Sequence, residues 1–96
     1  MTAAERLAAR LPGVDEAARA ILLSDAESAI CAYTRRSQVP EALWGAQAEL
    51  AVIYYNRQGI EGESVHSEGG VSREMQPMPE GVAMQLRPYR LAVIGR

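Results

Sequence analysis

The fold of this chain is decided by residues 15–35, DEAARAILLSDAESAICAYTR. Apolar side chains recur there every three or four positions, which is the spacing of one face of an α-helix. Asp15 and Glu16 fall in the first turn, where the helix macrodipole favours acidic residues, and Arg35 and Arg36 close the last turn. The stretch predicts a long helix whose inward face consists of Ala18, Ile21, Leu22, Ala26, Ala29, Ile30 and Tyr33.

A second long helix is expected after a short link. Pro40 suits the first position of a helix and Gly59 suits its end, so the pattern predicts a helix over residues 40–58. Its apolar set is Leu43, Ala46, Leu50, Ile53 and Tyr54, widened by Trp44, Ala48, Ala51, Val52 and Tyr55. A single chain of this size is expected to cover only one side of such a helix. Trp44 and Tyr55 are therefore expected to face the helix of residues 15–35 or another subunit.

Shorter elements flank this pair. Leu7 and Leu11 predict a short helix over residues 2–11, which ends before Pro12 and Gly13. Near the other end, a short helix is expected between Pro79 and Pro88, with Val82, Ala83 and Leu86 facing inward. Residues 59–78 show no helical period, although a short strand at residues 70–76 is an alternative for part of them. A loop of that length is uncommon in a compact domain and is a candidate functional segment.

These elements predict one domain of the all-α class over residues 1–96. It is a small helical bundle of three to four helices, with a long loop between the second long helix and the last short helix. We divide it into an N-terminal helix (1–14), two long helices (15–58), the loop (59–78), and a short helix with a C-terminal tail (79–96).

Composition and charge exclude several classes of protein. The ten basic residues are all arginine and face twelve acidic ones, for a net charge of −2, whereas a sequence-independent DNA binder usually has a basic excess. The longest apolar runs are too short to span a membrane. One cysteine cannot form an internal disulfide. Residues 61–80 carry five glutamates against Arg73, and residues 81–96 carry three arginines and no acid. This layout suits contacts with a charged protein or with neighbouring copies, although simple solvated charge explains it equally well.

No catalytic or metal site is expected. His66 is the single histidine, and the nearby Glu63, Ser64, Ser67 and Glu68 all lie in the same loop. Such a loop cannot by itself hold a nucleophile and a base at fixed geometry, and the set lacks further nitrogen or sulfur metal ligands. Cys31 is expected to be a buried thiol. The absence of lysine excludes a Walker-type phosphate loop. We therefore predict no enzyme activity and no cofactor.

Three arginines lie near the ends of the long helices, namely Arg35, Arg36 and Arg57. One interpretation is that these cations cap the C-terminal ends of the helices. The other is that their guanidinium groups bind carboxylates of a neighbouring subunit. Both remain open from the sequence.

Several short motifs follow one another in a fixed order over about residues 15–94. They are Leu22-Leu23-Ser24-Asp25-Ala26-Glu27, Ala32-Tyr33-Thr34-Arg35-Arg36, Val39-Pro40-Glu41-Ala42-Leu43, Glu49-Leu50-Ala51-Val52-Ile53-Tyr54-Tyr55-Asn56-Arg57, Glu61-Gly62, Ser67-Glu68-Gly69-Gly70-Val71-Ser72, and Pro79-Glu80 leading to Pro88-Tyr89-Arg90. In their order and spacing these motifs resemble the small helical head–tail connector (adaptor) proteins of long-tailed bacteriophages and prophages.

The resemblance implies a ring, commonly of twelve subunits in the virion, that docks on the portal protein after DNA packaging. Such a ring extends the DNA channel without sequence-specific binding and offers a surface to the next head-completion or tail protein. It also implies assembly in the bacterial host cytoplasm and contacts through residues 59–78 and 85–96. Relatives often have a more basic stretch after the tyrosine, whereas here Arg90 precedes Leu91-Ala92-Val93-Ile94, which favours an apolar contact.

The predicted interface combines these lines of argument. Its residues are Arg35, Arg36, Tyr55, Arg57, Glu68, Gly69, Gly70, Val71, Ser72, Tyr89, Arg90 and Leu91. The alternative function is a small helical regulator or antitoxin-like module, because that class also carries an apolar tail that orders on a partner.

Overall fold

The computed structural model describes residues 1–61 and 78–91. Regular structure in these residues consists of four α-helices: α1 (Ala3–Arg10), α2 (Glu16–Thr34), α3 (Trp44–Glu61) and α4 (Glu80–Leu86). A 3-10 turn at Glu41–Leu43 leads into α3, and another at Arg87–Tyr89 follows α4. The described part contains no strand, so the all-α prediction is confirmed.

Local hydrogen bonds fix the first two helices. Thr2 caps α1: its hydroxyl accepts from the Glu5 backbone N–H at 3.1 Å, while the Glu5 carboxylate accepts from the Thr2 N–H at 2.8 Å. This reciprocal capping box satisfies two N–H groups that a helix end leaves without partners. The Asp15 carboxylate caps α2 by accepting from the Ala17 N–H at 3.0 Å.

Arg19 ties the end of α1 to the start of α2. Its guanidinium donates to the carbonyl oxygens of Leu11, at 3.2 Å, and Val14. Both carbonyls belong to the turn between the two helices, and the Leu11 oxygen also accepts from the Val14 N–H at 3.1 Å. The Arg19 side chain therefore holds the turn between α1 and α2 against the start of α2.

Helix α3 lies at the centre of the bundle, because α1, α2 and α4 all pack against it. Its buried residues point to several sides: Ala46, Gln47, Ala48, Leu50, Ala51 and Tyr54. The expectation that a single chain covers only one side of this helix is therefore wrong. Trp44 is half-buried and Tyr55 is 38% exposed.

The core joins all four helices. Its buried cluster consists of Leu7, Leu22, Ala26, Ile30, Leu43, Ala46, Ala48, Leu50, Ala51, Tyr54, Val82 and Leu86. The inward face predicted for α4 is confirmed, since Val82, Ala83 and Leu86 are buried. On α2 the prediction is wrong at Ala18, which is exposed, and at Ile21, which is 60% exposed. The buried stripe of α2 instead follows every fourth residue, Leu22, Ala26, Ile30 and Thr34, which leaves Ile21 off that line.

Several helix ends differ from the predicted ones. Pro40 precedes the 3-10 turn rather than starting an α-helix, and α3 begins at Trp44. Helix α3 continues past Gly59 to Glu61, since a helical glycine costs only about 1 kcal/mol relative to alanine. The chain after α4 passes through Pro88 as a 3-10 turn. The predicted strand at residues 70–76 and most of the predicted loop lie outside the described residues.

Candidate interaction surface

Two distant parts of the chain meet at the C-terminal end of α2. The Arg36 Nε donates to the carbonyl oxygen of Tyr89 at 2.8 Å, across 53 positions of sequence. The Leu91 N–H donates to the carbonyl oxygen of Thr34 at 2.9 Å. These bonds hold the 3-10 turn and Leu91 against the end of α2. We call the result the arginine surface: Tyr33, Arg35, Arg36, Arg87 and Arg90, with Leu91 at its edge.

Arg35 ends α2 in the left-handed backbone conformation, at φ 63° and ψ 36°. The N–H groups of Arg35 and Arg36 both donate to the Cys31 carbonyl, in the pattern that commonly closes a helix. Glycine usually occupies this position, because a left-handed conformation costs other residues about 1 kcal/mol. The chain bears that cost at a residue whose side chain is exposed.

Tyr33 organises the arginines of the C-terminal turn. The Arg90 guanidinium carbon lies 4.9 Å from the centroid of the Tyr33 ring, within the range of a cation–π contact. Arg87 donates to the Glu80 carboxylate at 3.0 Å. The hydrogen bond to Glu80 first, and the nearby Tyr33 hydroxyl second, raise the pKa of Arg87 above its ordinary value. The half-buried Tyr33 ring thus holds Arg90 at the end of α2.

The arginine surface is accessible and positively charged. Arg35, Arg87 and Arg90 are exposed, and Leu91 is 43% exposed. Glu80 is an acid that the structure pairs with one of them, and both partners of that bridge face solvent. Guanidinium groups bind carboxylates and phosphates through paired N–H donors. The chemistry of this end therefore suits an anionic partner with an apolar edge.

The structure brings together five of the twelve predicted interface residues: Arg35, Arg36, Tyr89, Arg90 and Leu91. Tyr55 and Arg57 lie on α3, a different element, and Arg57 is half-buried and engaged in an interaction. The other five, Glu68, Gly69, Gly70, Val71 and Ser72, lie outside the described residues. So does His66.

Two members of the surface were missed by the sequence reasoning. Helical spacing places Tyr33 on the apolar face of α2, whereas in the structure its ring contacts the Arg90 guanidinium. Arg87 was counted only in the charge balance. Its spacing of three from Arg90, in a segment without acids, was the available signal.

Other reactive groups give no second site. Within residues 1–61 and 78–91, no group of three or more histidine, cysteine or acidic residues is placed to hold a metal ion. Cys31 is half-buried rather than buried, and burial, with the nearby Glu27 carboxylate, raises the pKa of its thiol. None of the described helices is long and apolar enough to span a membrane.

Comparison with known protein families identifies the chain. The family model described as "Phage gp6-like head-tail connector protein" matches residues 17–90. That span includes α2, α3, α4 and the arginine surface as far as Arg90, while α1 precedes it. Searches of curated proteins and of solved structures found no match. Because the matched span is well over half of the sequence, the chain belongs to the phage gp6-like head-tail connector family.

Proposed function

We propose that this chain is a structural connector that assembles into a ring of twelve copies at the head–tail joint. The ring docks on the portal protein after DNA packaging and presents a surface to the next head-completion or tail protein. It forms from subunits made in the host cytoplasm. DNA passes through its channel without sequence-specific binding.

The observation that carries the proposal is the family match over residues 17–90, which favours a connector over a regulator or antitoxin-like module. Membership implies contact with other head or tail proteins, and it implies a place at the joint itself. Our proposal goes further than this membership, because it names the portal as a partner, a ring as the assembly, and docking after DNA packaging as the order of events.

The arginine surface supports a role in protein contacts. Ring subunits related by rotation use two different patches, one on each side. A surface with three exposed arginines and an exposed leucine is suited to be one of them, because it can pair with carboxylates while covering an apolar edge. We assign to it a contact with acidic residues of a neighbouring copy or of the portal.

The experiment is deletion of the gene from the phage or prophage that encodes the chain, followed by electron microscopy of the lysate. We expect DNA-filled or leaking heads beside unattached tails. Expression of the intact chain from a plasmid should restore joined particles. Intact, infectious virions in the deletion lysate would reject the connector role.

A further inference from the structure

A cleft of about 250 Å³ lies between α1 and α2, near the start of α2. Every residue that lines it belongs to one of these two helices. The hydrogen bonds of Arg19 to the turn between the helices help to hold its two walls together. The cleft is therefore a feature of the packed helices and not of a loop. We call it the α1–α2 cleft.

The cleft has an apolar lining and acidic residues at its edge. The apolar lining consists of Ala4, Ala8, Ala20 and Leu23. Glu5 and Glu16 also line the cleft, and both are exposed. Glu5 uses its Oε1 to accept the Thr2 N–H, but a carboxylate has two acceptor oxygens.

One cation, Arg19, also lines the cleft. It is half-buried, and its guanidinium already donates to two backbone carbonyls of the turn. The exposed charge that the cleft offers to a partner is therefore that of the two carboxylates, Glu5 and Glu16.

The other end of α2 carries the complementary features. Leu91 is 43% exposed and lines a shallow hollow together with Arg35 and Arg36. Arg90, its neighbour in the chain, is also exposed. An exposed leucine among arginines matches an apolar cleft edged by carboxylates, both in apolar surface and in the sign of the charge.

A single chain cannot bring these two surfaces together. The Leu91 N–H donates to the Thr34 carbonyl oxygen at 2.9 Å, which holds Leu91 at the C-terminal end of α2. The rise of an α-helix separates Ala20, in the cleft, from Thr34 by about 21 Å along the axis. The cleft and the arginine surface can therefore meet only between two copies.

We propose that the α1–α2 cleft of one copy receives Leu91 of a second copy. The exposed Arg35 and Arg90 of the second copy then face Glu5 and Glu16 of the first. Each copy contributes a different surface, so the contact is head to tail and repeats from one copy to the next. It supplies the second of the two patches that a ring needs, and this link to a ring alone rests on the proposed function.

Two single-cysteine proteins test the contact in purified protein. Both carry Cys31→Ala, which removes the native thiol; one adds Ala8→Cys in the cleft and the other adds Leu91→Cys. The two are mixed in equal amounts and oxidised, and the mixed disulfide dimer is compared with the geometric mean of the two homodimers. This ratio cancels the intrinsic reactivity of each cysteine. We expect the mixed dimer to exceed its statistical share several-fold.

Charge variants separate the proposed contact from random collision. Glu16→Arg in the protein with the cleft cysteine should remove the excess of mixed dimer. Arg35→Glu in the Leu91→Cys protein should restore the excess when the two are combined. Glu41→Arg makes the same change of charge at an exposed acid that does not line the cleft, and it should leave the excess intact. Circular dichroism checks that every variant is folded.

A statistical yield of mixed dimer would overturn the proposal. So would an excess that Glu16→Arg leaves unchanged, or a Leu91→Cys homodimer as the main product, because two arginine surfaces would then meet each other. None of these readouts involves a phage particle. A statistical yield would therefore leave the connector function standing, and intact virions in the deletion lysate would leave the contact standing.

Discussion

At the scale of single residues, Arg35 has the least ordinary backbone in the described chain. It is the non-glycine residue with positive φ there, and its side chain is exposed. A strained position that persists at an accessible residue is more readily explained by use of its side chain than by stability.

Arg35→Gly should therefore stabilise the isolated protein. We expect the free energy of unfolding in denaturant titration to rise by about 0.5–1 kcal/mol, because glycine adopts the left-handed conformation without the steric cost. Arg35→Ala is the matched control, since it removes the same side chain but keeps the strain. An equal gain from both substitutions would contradict the backbone explanation.

Cys31 should react slowly with thiol reagents at neutral pH. Burial first, and the Glu27 carboxylate second, raise the pKa of its thiol, and only the thiolate is reactive. The alkylation rate should rise with a midpoint above that of an unperturbed cysteine, and Glu27→Gln should lower that midpoint. Since the folded pKa is raised, the associated stability is present below the unfolded pKa and is lost as pH rises through the folded one. A midpoint at the unperturbed value would reject this.

Residue roles were the part that sequence reasoning predicted least well. Leu22, Ala26 and Ile30 were placed correctly in the core because helical spacing determines them. Tyr33 follows the same spacing, yet its ring contacts Arg90 from the far end of the sequence. Periodicity within one helix contains no information about that partner.

At the scale of elements, the two long helices could be predicted because each is long and strongly patterned. Their precise ends could not, because Pro40 and Gly59 permit more than one backbone. The burial of α3 against all three other helices could not be predicted either. Its alanines are buried in the structure, but alanine is equally compatible with an exposed or a closely packed position.

The junction between α1 and α2 should depend on Arg19. Replacing it with alanine removes two charged hydrogen bonds to carbonyls of the turn, and we expect a loss of about 1–2 kcal/mol in the free energy of unfolding. Arg10→Ala, at an exposed arginine in the last turn of α1, should change stability by less than about 0.5 kcal/mol. A similar decrease in the free energy of unfolding for both variants would mean that Arg19 does not stabilise the turn between α1 and α2.

At the scale of the whole molecule, the fold brings together arginines that are far apart in the sequence. Arg35 and Arg36 adjoin Arg87 and Arg90 only because the C-terminal turn is bound to the end of α2. The sequence indicated a basic C-terminal segment and a separate pair of arginines. Two hydrogen bonds bring them together, one from the Arg36 side chain to the Tyr89 carbonyl and one from the Leu91 N–H to the Thr34 carbonyl. No short motif specifies either bond.

We therefore assign the contact with neighbouring proteins to the arginine surface as a whole and not to any single arginine. Arg90 is the last residue of the matched family span, whereas Arg35 lies well inside it. Leu91, which follows Arg90, lines the same hollow as Arg35. Reversing both charges should therefore damage assembly far more than reversing an arginine elsewhere.

The most direct test is complementation of the deletion phage with Arg35→Glu/Arg90→Glu, beside Arg10→Glu as the matched control, scored by electron microscopy and infectious titre. The account predicts that the double variant folds by circular dichroism but leaves heads and tails separate, while the control restores joined, infectious particles. Full restoration by the double variant would contradict the claim that this surface joins the connector to its neighbours.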